Sequence, residues 1–307
     1  MDPFTIYVTE PAVIDMAIVT EALGDTPHTL VAGSADFATG DCSKCNTALI
    51  RSGTHIDATI RDKMPQLQHV VRVGVGLDNV DLDFCKTAGI AVYNAPGANA
   101  DAVAEYATGV ILTALRNIPQ LTRTDQEQWN RHKFTGHSIA GRTVGIVGFG
   151  NIGRLLYGKL RALGCNRFMI YDPFATEAPE QAELVPLDTL LAGSDIISLH
   201  LPLIPQTTHL INAEKLALLK ENTILLNAAR GGIVDEAALL DALQTKPFTY
   251  IADTVEGEPH PNPALLDSPH VMVTPHIASL TAEAEDNMIR VAIEHLIAGK
   301  TAQVVPA

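Results

Sequence analysis

Short apolar runs, each about the length of one strand, alternate with helical patterns along most of the chain. In the first hundred residues the runs are Phe4 to Thr9, Thr29 to Ala32, Thr47 to Ile50, His69 to Val73 and Ile90 to Tyr93. Between them, Pro11 sits at the first turn of a helix running towards Gly24, and Thr54 to Met64 reads as a helix stopped by Pro65. Asp81 caps a further helix that Gly89 ends. The breaker cluster Asn94 to Asn99 precedes a long Ala/Val-rich helix to about Asn117. That helix is apolar nearly all round, so a buried place between domains or at a subunit interface is expected. A second helical stretch leads to Trp129. The alternation then resumes with strands at Thr143 to Val147, Arg167 to Tyr171, Asp195 to Leu199, Thr223 to Leu226, Thr249 to Ala252 and Val271 to Val273. Helices at Ala213 to Leu219 and from Asp235 to Leu243 lie between them, and Thr281 to Ala298 closes the chain as an amphipathic helix. Such alternation predicts an α/β protein with parallel sheets wrapped by helices.

The run Thr143 to Val147 meets three glycines spaced G-x-G-x-x-G at Gly148, Gly150 and Gly153, with Asn151 and Ile152 between the last two. A strand before the glycines and a helix after them make a dinucleotide site. The first glycine permits the tight turn, the second lets a pyrophosphate approach the backbone, and the third packs the helix close to its strand. The next strand ends in Asp172, placed 19 residues beyond Gly153, where a carboxylate meets the adenosine ribose hydroxyls. That carboxylate would repel a 2′-phosphate, and Pro173-Phe174 offers no compensating arginine, so NAD is expected over NADP.

Composition adds exclusions. A net charge of −14 argues against a nucleic-acid or anionic-membrane binder, so an anionic substrate needs a local positive pocket. No stretch is long and apolar enough to span a membrane and the N-terminus has no signal pattern, so a cytoplasmic protein is expected. Cys42, Cys45, Cys85 and Cys165 are too few and too scattered for a disulfide framework. Cys42-Ser43-Lys44-Cys45 is a C-x-x-C without a second ligand pair, read as two thiols in a surface loop; no metal site is expected.

The late strands each give way at their C-terminal ends to polar residues, among them Arg230, Asp253 and His276, and in open parallel sheets ligands lie outside those ends. Carbonyl reduction by a nicotinamide needs a proton donor and a cation for the substrate. His276 suits the first, Glu258 would favour its imidazolium and fix the ring, and Arg230 can grip a carboxylate bidentately. Each also reads as a solvated loop residue, one histidine among eleven.

From about Arg51 to Ser279 the chain resembles the D-isomer-specific 2-hydroxyacid dehydrogenases. The resemblance is carried by Gly74 to Asp81, Asn94 to Asn99 with Ala102 to Glu105, the glycine fingerprint, and His200-Leu201-Pro202-Leu203. It continues through Asn227 to Gly232 with Val234-Asp235, Asp253 with Gly257-Glu258-Pro259, and Thr274-Pro275-His276. It implies two Rossmann-like, doubly wound parallel-sheet domains with a cleft between them. A flavodoxin-like substrate-binding domain would comprise residues 1–98 and 283–307, and an NAD-binding domain residues 99–282. Arg230 would bind substrate, Glu258 would pair with His276, and His276 would be the acid/base. Arg51, Ser52, Val75, Gly76 and Asn99 would hold or border the substrate. His200, Pro202, Ala228 and His276 would border the cofactor, with Asp253 beside the nicotinamide carboxamide. The implied reaction is NAD-dependent interconversion of a D-2-hydroxy acid and its 2-oxo acid in a homodimer.

Ile50-Arg51-Ser52 and Gln128 to Gly136 look most like the 3-phosphoglycerate dehydrogenase branch, so a substrate with a second anionic group, such as 3-phosphoglycerate or sulfolactate, is expected. Gly53 stands where some relatives carry a further basic residue, which leaves a small 2-oxo acid of the hydroxypyruvate or glyoxylate type as the alternative. An NAD-sensing binding protein like the co-repressors of this fold is a further alternative. Trp129 and Lys133 read as packing and a solvated charge, or by resemblance as neighbours of the dimer contact. With the chain running to residue 307, an appended serine-sensing regulatory domain is not expected.

Overall fold

The computed structural model describes residues 3–118 and 135–302. Trp129, Lys133 and the helical stretch expected to lead to Trp129 lie outside the described residues. The chain divides into two compact units: one runs to Asn99 and resumes at Leu280, the other is Ala100–Ser279. Both are α/β with wholly parallel sheets, as the alternating pattern predicts.

In the first unit, β1 (Phe4–Val8), β2 (His28–Ala32), β3 (Thr47–Ile50), β4 (His69–Arg72) and β5 (Ala91–Tyr93) form a sheet ordered β2-β1-β3-β4-β5. The order reverses between β1 and β3, as in flavodoxin-like sheets. Helices α1 (Met16–Leu23), α2 (Ile60–Lys63) and α3 (Leu82–Thr87) lie between the strands. Asp15 begins α1 by accepting from the Ala17 amide at 2.8 Å, so the helix starts later than Pro11 suggests. The Pro11 segment instead forms a turn in which the Ile14 amide donates to the Glu10 carbonyl at 2.8 Å. The helix expected over Thr54 to Met64 shrinks to α2 because Ile56 is drawn into a parallel bridge with Val80. One face of the sheet packs Ile6, Val8, Leu49 and Val71 with Val19 of α1 and with Met288, Ile289 and Ile293 of the closing helix. The other face packs Tyr7, Ala48, Ile50 and Val70 with Met64 and all three cysteines of this unit. Cys42 and Cys45 are therefore buried, not in a surface loop, their thiols donating to the Lys63 and Asp41 carbonyls. Burial pushes both thiols up, Cys45 to about 11, which makes them poor nucleophiles.

In the second unit, α4 (Ala100–Leu115) leads to seven strands: β6 (Thr143–Val147), β7 (Arg167–Tyr171), β8 (Ala182–Leu184), β9 (Ile196–Leu199), β10 (Ile224–Asn227), β11 (Thr249–Ala252) and β12 (Val271–Val273). Their order is β12-β11-β10-β9-β6-β7-β8, the doubly wound arrangement that reverses direction between β6 and β9. The helices are α5 (Asn151–Ala162), α6 (Leu187–Gly193), α7 (Ala213–Leu218), α8 (Glu236–Thr245) and α9 (Pro263–Asp267). Two apolar layers cover the sheet, one including Leu190, Leu199, Leu225 and Leu239, the other Ile111, Ile146, Leu156 and Leu226. α4 buries Ala104, Ala107, Ile111 and Leu115 within this unit, packing mainly on α5, while Asp101, Glu105 and Gly109 stay exposed. Ala102 and Val103 are buried too, so burial is not confined to the face that packs on α5. The chain then returns to the first unit as α10 (Ala282–Ala298), started by the Thr281 hydroxyl and ended by Gly299 in the left-handed conformation.

Candidate active site

Parallel strands carry their C-terminal ends to one edge, and the residues singled out by sequence stand there. In the second unit that edge bears Gly148 to Gly153 after β6, His200 and Pro202 after β9, Ala228 and Arg230 after β10, Asp253 after β11 and His276 after β12. In the first unit Arg51 and Ser52 follow β3, Val75 and Gly76 follow β4, and Asn94 to Asn99 follow β5.

The glycine loop lies at the reversal point of the second sheet. Gly148 has φ +93°, and a Cβ there would stand 2.2 Å from the His200 carbonyl oxygen, so only glycine closes this turn. Gly153 is buried with its α-carbon against the Gly148 carbonyl. Gly150 begins α5 with no side-chain cap, and nothing lies within 4 Å of where its Cβ would be. The exposed start of α5, with Asn151 and Ile152 in its first turn, is thus open to an anion. Asp172 follows β7 with its carboxylate held by two backbone amides, Phe149 at 2.7 Å and Phe174 at 2.8 Å. The first of these ties Asp172 directly to the glycine loop, an arrangement that suits one ligand reaching both.

His200 continues β9, its Nε2 2.9 Å from the Ser198 hydroxyl. Burial pushes its pKa down to about 4, so the ring is neutral at pH 7, and its buried Nδ1 has no hydrogen-bond partner among the described residues. An orphaned imidazole nitrogen beside the loop fits a polar ligand in place of a protein group.

The loop after β10 is shaped by Asn227, fully buried, whose side chain donates to the Arg230 carbonyl at 2.8 Å and accepts from the Ala229 amide at 3.1 Å. Arg230 is extended and donates from Nη1 to the Ala229 carbonyl at 2.7 Å. A Cβ on Gly231 would lie 2.2 Å from the Val255 carbonyl carbon, so glycine lets the Val255–Glu258 strap press against this loop.

That strap delivers Glu258. One carboxylate oxygen accepts from the Val255 amide at 2.8 Å, and the other meets His276 Nδ1 at 2.7 Å. Burial alone would raise the Glu258 carboxyl. The His276 hydrogen bond, the Val255 amide and the charges of His276 and Arg230 outweigh it and hold the carboxyl below its ordinary value. Both His276 and Arg230 therefore act on the Glu258 carboxylate. Nδ1 of His276 is committed to Glu258, which leaves Nε2 for chemistry.

His276 adopts φ +55°, and its amide donates to the Asp253 carbonyl at 2.9 Å. Asp253 is 1% exposed, and its carboxylate accepts from the Thr274 hydroxyl at 2.6 Å and the Ile277 and Ala278 amides at 2.8 Å. The Tyr106 hydroxyl of α4 meets Thr274 at 2.5 Å. Asp253 thus braces the turn that presents His276. The expected contact with a carboxamide would have to compete with these three donors.

Nothing in the sequence pattern singles out Glu236 or His209, yet both reach the same strap. Glu236, buried at the start of α8, accepts from the Glu256 amide at 2.8 Å, and His209 Nε2 lies 2.6 Å from the Glu256 carboxylate. Burial raises the Glu236 carboxyl, as do the charges of Glu256 and Glu258, against the lowering by the Glu256 amide.

In the first unit, Asn79 donates to the Arg51 carbonyl at 2.8 Å and the Thr54 carbonyl at 2.5 Å, fixing the loop that carries Arg51 and Ser52. Asn94 donates to the Val75 carbonyl at 2.8 Å, which leaves the Val75–Gly76 turn half-exposed. Asn99 stands partly buried where the first unit hands over to α4.

Residues 108–278 match the family model "D-isomer specific 2-hydroxyacid dehydrogenase, NAD binding domain". The chain is 42% identical to D-3-phosphoglycerate dehydrogenase of Mycobacterium tuberculosis over 248 residues, covering 79% of this chain and 47% of that one. It is 40% identical to hydroxypyruvate reductase of Thermotoga maritima over 242 residues, covering 77% and 79%. Among solved structures, D-lactate dehydrogenase from Aquifex aeolicus complexed with NAD and lactic acid superposes with a TM-score of 0.80 at 26% identity, covering 96% of each chain. The chain spans about half the length of the phosphoglycerate dehydrogenases it matches.

Proposed function

The chain belongs to the D-isomer specific 2-hydroxyacid dehydrogenases, and from that membership we propose that it interconverts a D-2-hydroxy acid and its 2-oxo acid with NAD. The observation that carries this reading is the 2.7 Å pair between His276 and Glu258, at the strand ends of the unit that bears the glycine loop.

Bound NAD takes up or delivers the hydride at substrate C2. Cofactor contacts are assigned to Gly148, Gly150, Asn151, Ile152 and Gly153 for the pyrophosphate and Asp172 for the ribose. His200, Pro202, Ala228 and Asp253 are assigned to the nicotinamide side. The open start of α5 and the unpartnered Nδ1 of His200 support that assignment. Arg230 grips the substrate carboxylate bidentately and polarises the neighbouring carbonyl. Val75, Gly76 and Asn99 of the first unit are assigned to the substrate by the resemblance, with Arg51 and Ser52 at its far end. In oxidation, neutral His276 accepts the hydroxyl proton at Nε2. In reduction, protonated His276 returns it, while Glu258 holds the ring through Nδ1 and stabilises its charge. A homodimer, implied by the resemblance, and the cytoplasmic location expected from the sequence pattern complete this reading, and light scattering of the purified protein tests the dimer.

The deciding experiment follows NADH absorbance against a panel of D-2-hydroxy acids and 2-oxo acids. His276→Ala should lower kcat on the best substrate by roughly 10²–10⁴, the loss typical of a missing acid/base. Normal turnover by that variant would remove His276 from the reaction and sink the assignment.

A further inference from the structure

Arg51 and Ser52, assigned above to the far end of the substrate, sit in a loop bracketed by carboxylates. Arg51 Nη1 is 3.2 Å from Glu285 Oε1, and the Arg51 side chain is only 13% exposed against 37% for Glu285. The single cation of the loop is therefore already half-sequestered by a carboxylate from the first turn of α10. On the other side stands Glu10. Its Oε1 is 3.4 Å from the Thr54 hydroxyl and 3.4 Å from where a Cβ on Gly53 would be. The position at which a second basic side chain would strengthen the loop is thus a glycine facing a carboxylate.

The loop has little freedom to escape these neighbours. Asn79, buried, holds the carbonyls of Arg51 and Thr54, and the Thr54 hydroxyl also donates to Thr9 at 3.0 Å. Two further cations of the first unit, Lys63 and Arg72, have partners of their own. Lys63 donates to the Asp36 carbonyl at 2.6 Å and lies over the Phe37 ring, and Arg72 Nη1 donates to the Val73 carbonyl at 3.1 Å. His55 and Lys63 also line a cavity of about 320 Å³, where Asp36 and Asp57 balance them.

The Arg51–Thr54 loop thus carries one guanidinium, paired with Glu285, and has the second carboxylate, Glu10, beside Gly53 and Thr54. A hydroxyl at the far end of a substrate meets hydrogen-bonding capacity there, from Ser52 and the remaining Arg51 donors. A phosphoryl or second carboxylate group brought to this loop is repelled by the like charges of Glu285 and Glu10. We propose that Glu285 and Glu10 are specificity-determining residues that exclude a second anionic group, so that the substrate is a small 2-hydroxy or 2-oxo acid with an uncharged far end. This rests on the reaction and the Arg51–Ser52 substrate contact proposed above.

The test compares hydroxypyruvate with 3-phosphohydroxypyruvate, which differ only in the phosphoryl group, using NADH oxidation by the full chain. The wild type should show kcat/KM at least about ten-fold higher for hydroxypyruvate. Glu285→Gln should shift the ratio about ten-fold towards the phosphorylated acid, mainly through KM, with hydroxypyruvate changing less than about three-fold. Glu10→Gln should move the ratio in the same direction and stands in if Glu285→Gln fails to fold by its melting curve. A wild type that prefers the phosphorylated acid, or a ratio unmoved in both variants, overturns the role of the two glutamates while leaving the dehydrogenase standing. Turnover that is unaltered by Arg51→Gln with both acids would instead overturn the substrate contact on which the proposal rests. No turnover of either acid, or of any other acid in the panel, would overturn the reaction itself and the proposal with it.

Discussion

Replacing Glu258 by glutamine isolates what its charge does for His276. Glutamine keeps the length of the side chain and an oxygen acceptor for the Val255 amide, now at 2.8 Å, but cannot stabilise a protonated imidazole at Nδ1 by charge. Two unit charges about 4 Å apart interact by about 4 kcal/mol at an effective dielectric constant of 20. The Glu258 and His276 side chains are 34% and 49% exposed, so solvent screens the pair, and about 0.5–1 kcal/mol is the reasonable share. That corresponds to a loss of roughly 2–5-fold in kcat for 2-oxo acid reduction, where His276 is proposed to carry the proton, with KM for NADH unchanged. Steady-state kinetics of Glu258→Gln, His276→Ala and the double variant provide the assay. Because Glu258 acts through His276, its loss should add nothing once His276 is gone. Either a change below about two-fold in the single variant, or full additivity in the double variant, would refute the coupling argued from the 2.7 Å contact.

Two other perturbations probe the rest of the site. Asp172→Arg removes the carboxylate assigned above to the ribose, with its bonds to the Phe149 and Phe174 amides. It should shift the kcat/KM ratio at least about ten-fold towards NADP and weaken use of NAD, and an unchanged ratio would count against the ribose contact. Glu236 carries a carboxyl that burial raises. The folded chain therefore binds that proton more tightly than the unfolded chain. Stability is greatest below the ordinary glutamate pKa and declines as pH rises from there through the raised folded-state value. Glu236→Gln keeps an acceptor for the Glu256 amide without the charge, so thermal melting at about pH 8 should rise by about 2–4 °C. The gain should shrink at about pH 4, and equal or lower melting at pH 8 would exclude a net cost from the buried charge.

Much of the fold is legible because local rules and global structure agree. Strand β3, strand β6, strand β7 and strand β11 match their apolar runs residue for residue, and Asp81, Asp235 and Thr281 cap the helices they precede. Where prediction strays, a tertiary contact overrides a local preference. Ile56 leaves a helix-like stretch to bridge Val80, and Cys42 and Cys45 leave the surface to fill the space beneath β1 and β3. The edge strand β8, mostly exposed, has no apolar pattern to announce it.

By itself the sequence determined the glycine loop, the parallel α/β class and the identities of the chemical groups at Arg230, Glu258 and His276. Glycine spacing is a backbone requirement written at neighbouring positions, and strand-end residues inherit their place from the alternation. Only the tertiary structure decided what those groups face. Glu258 meets His276 because Gly231 lets a strap from 255 to 258 close in. Arg51 meets Glu285 across 234 positions of chain because the last helix returns to the first unit. Charge pairing depends on distance in space, and contacts so far apart in sequence are set only when the sheets and helices that carry them have packed.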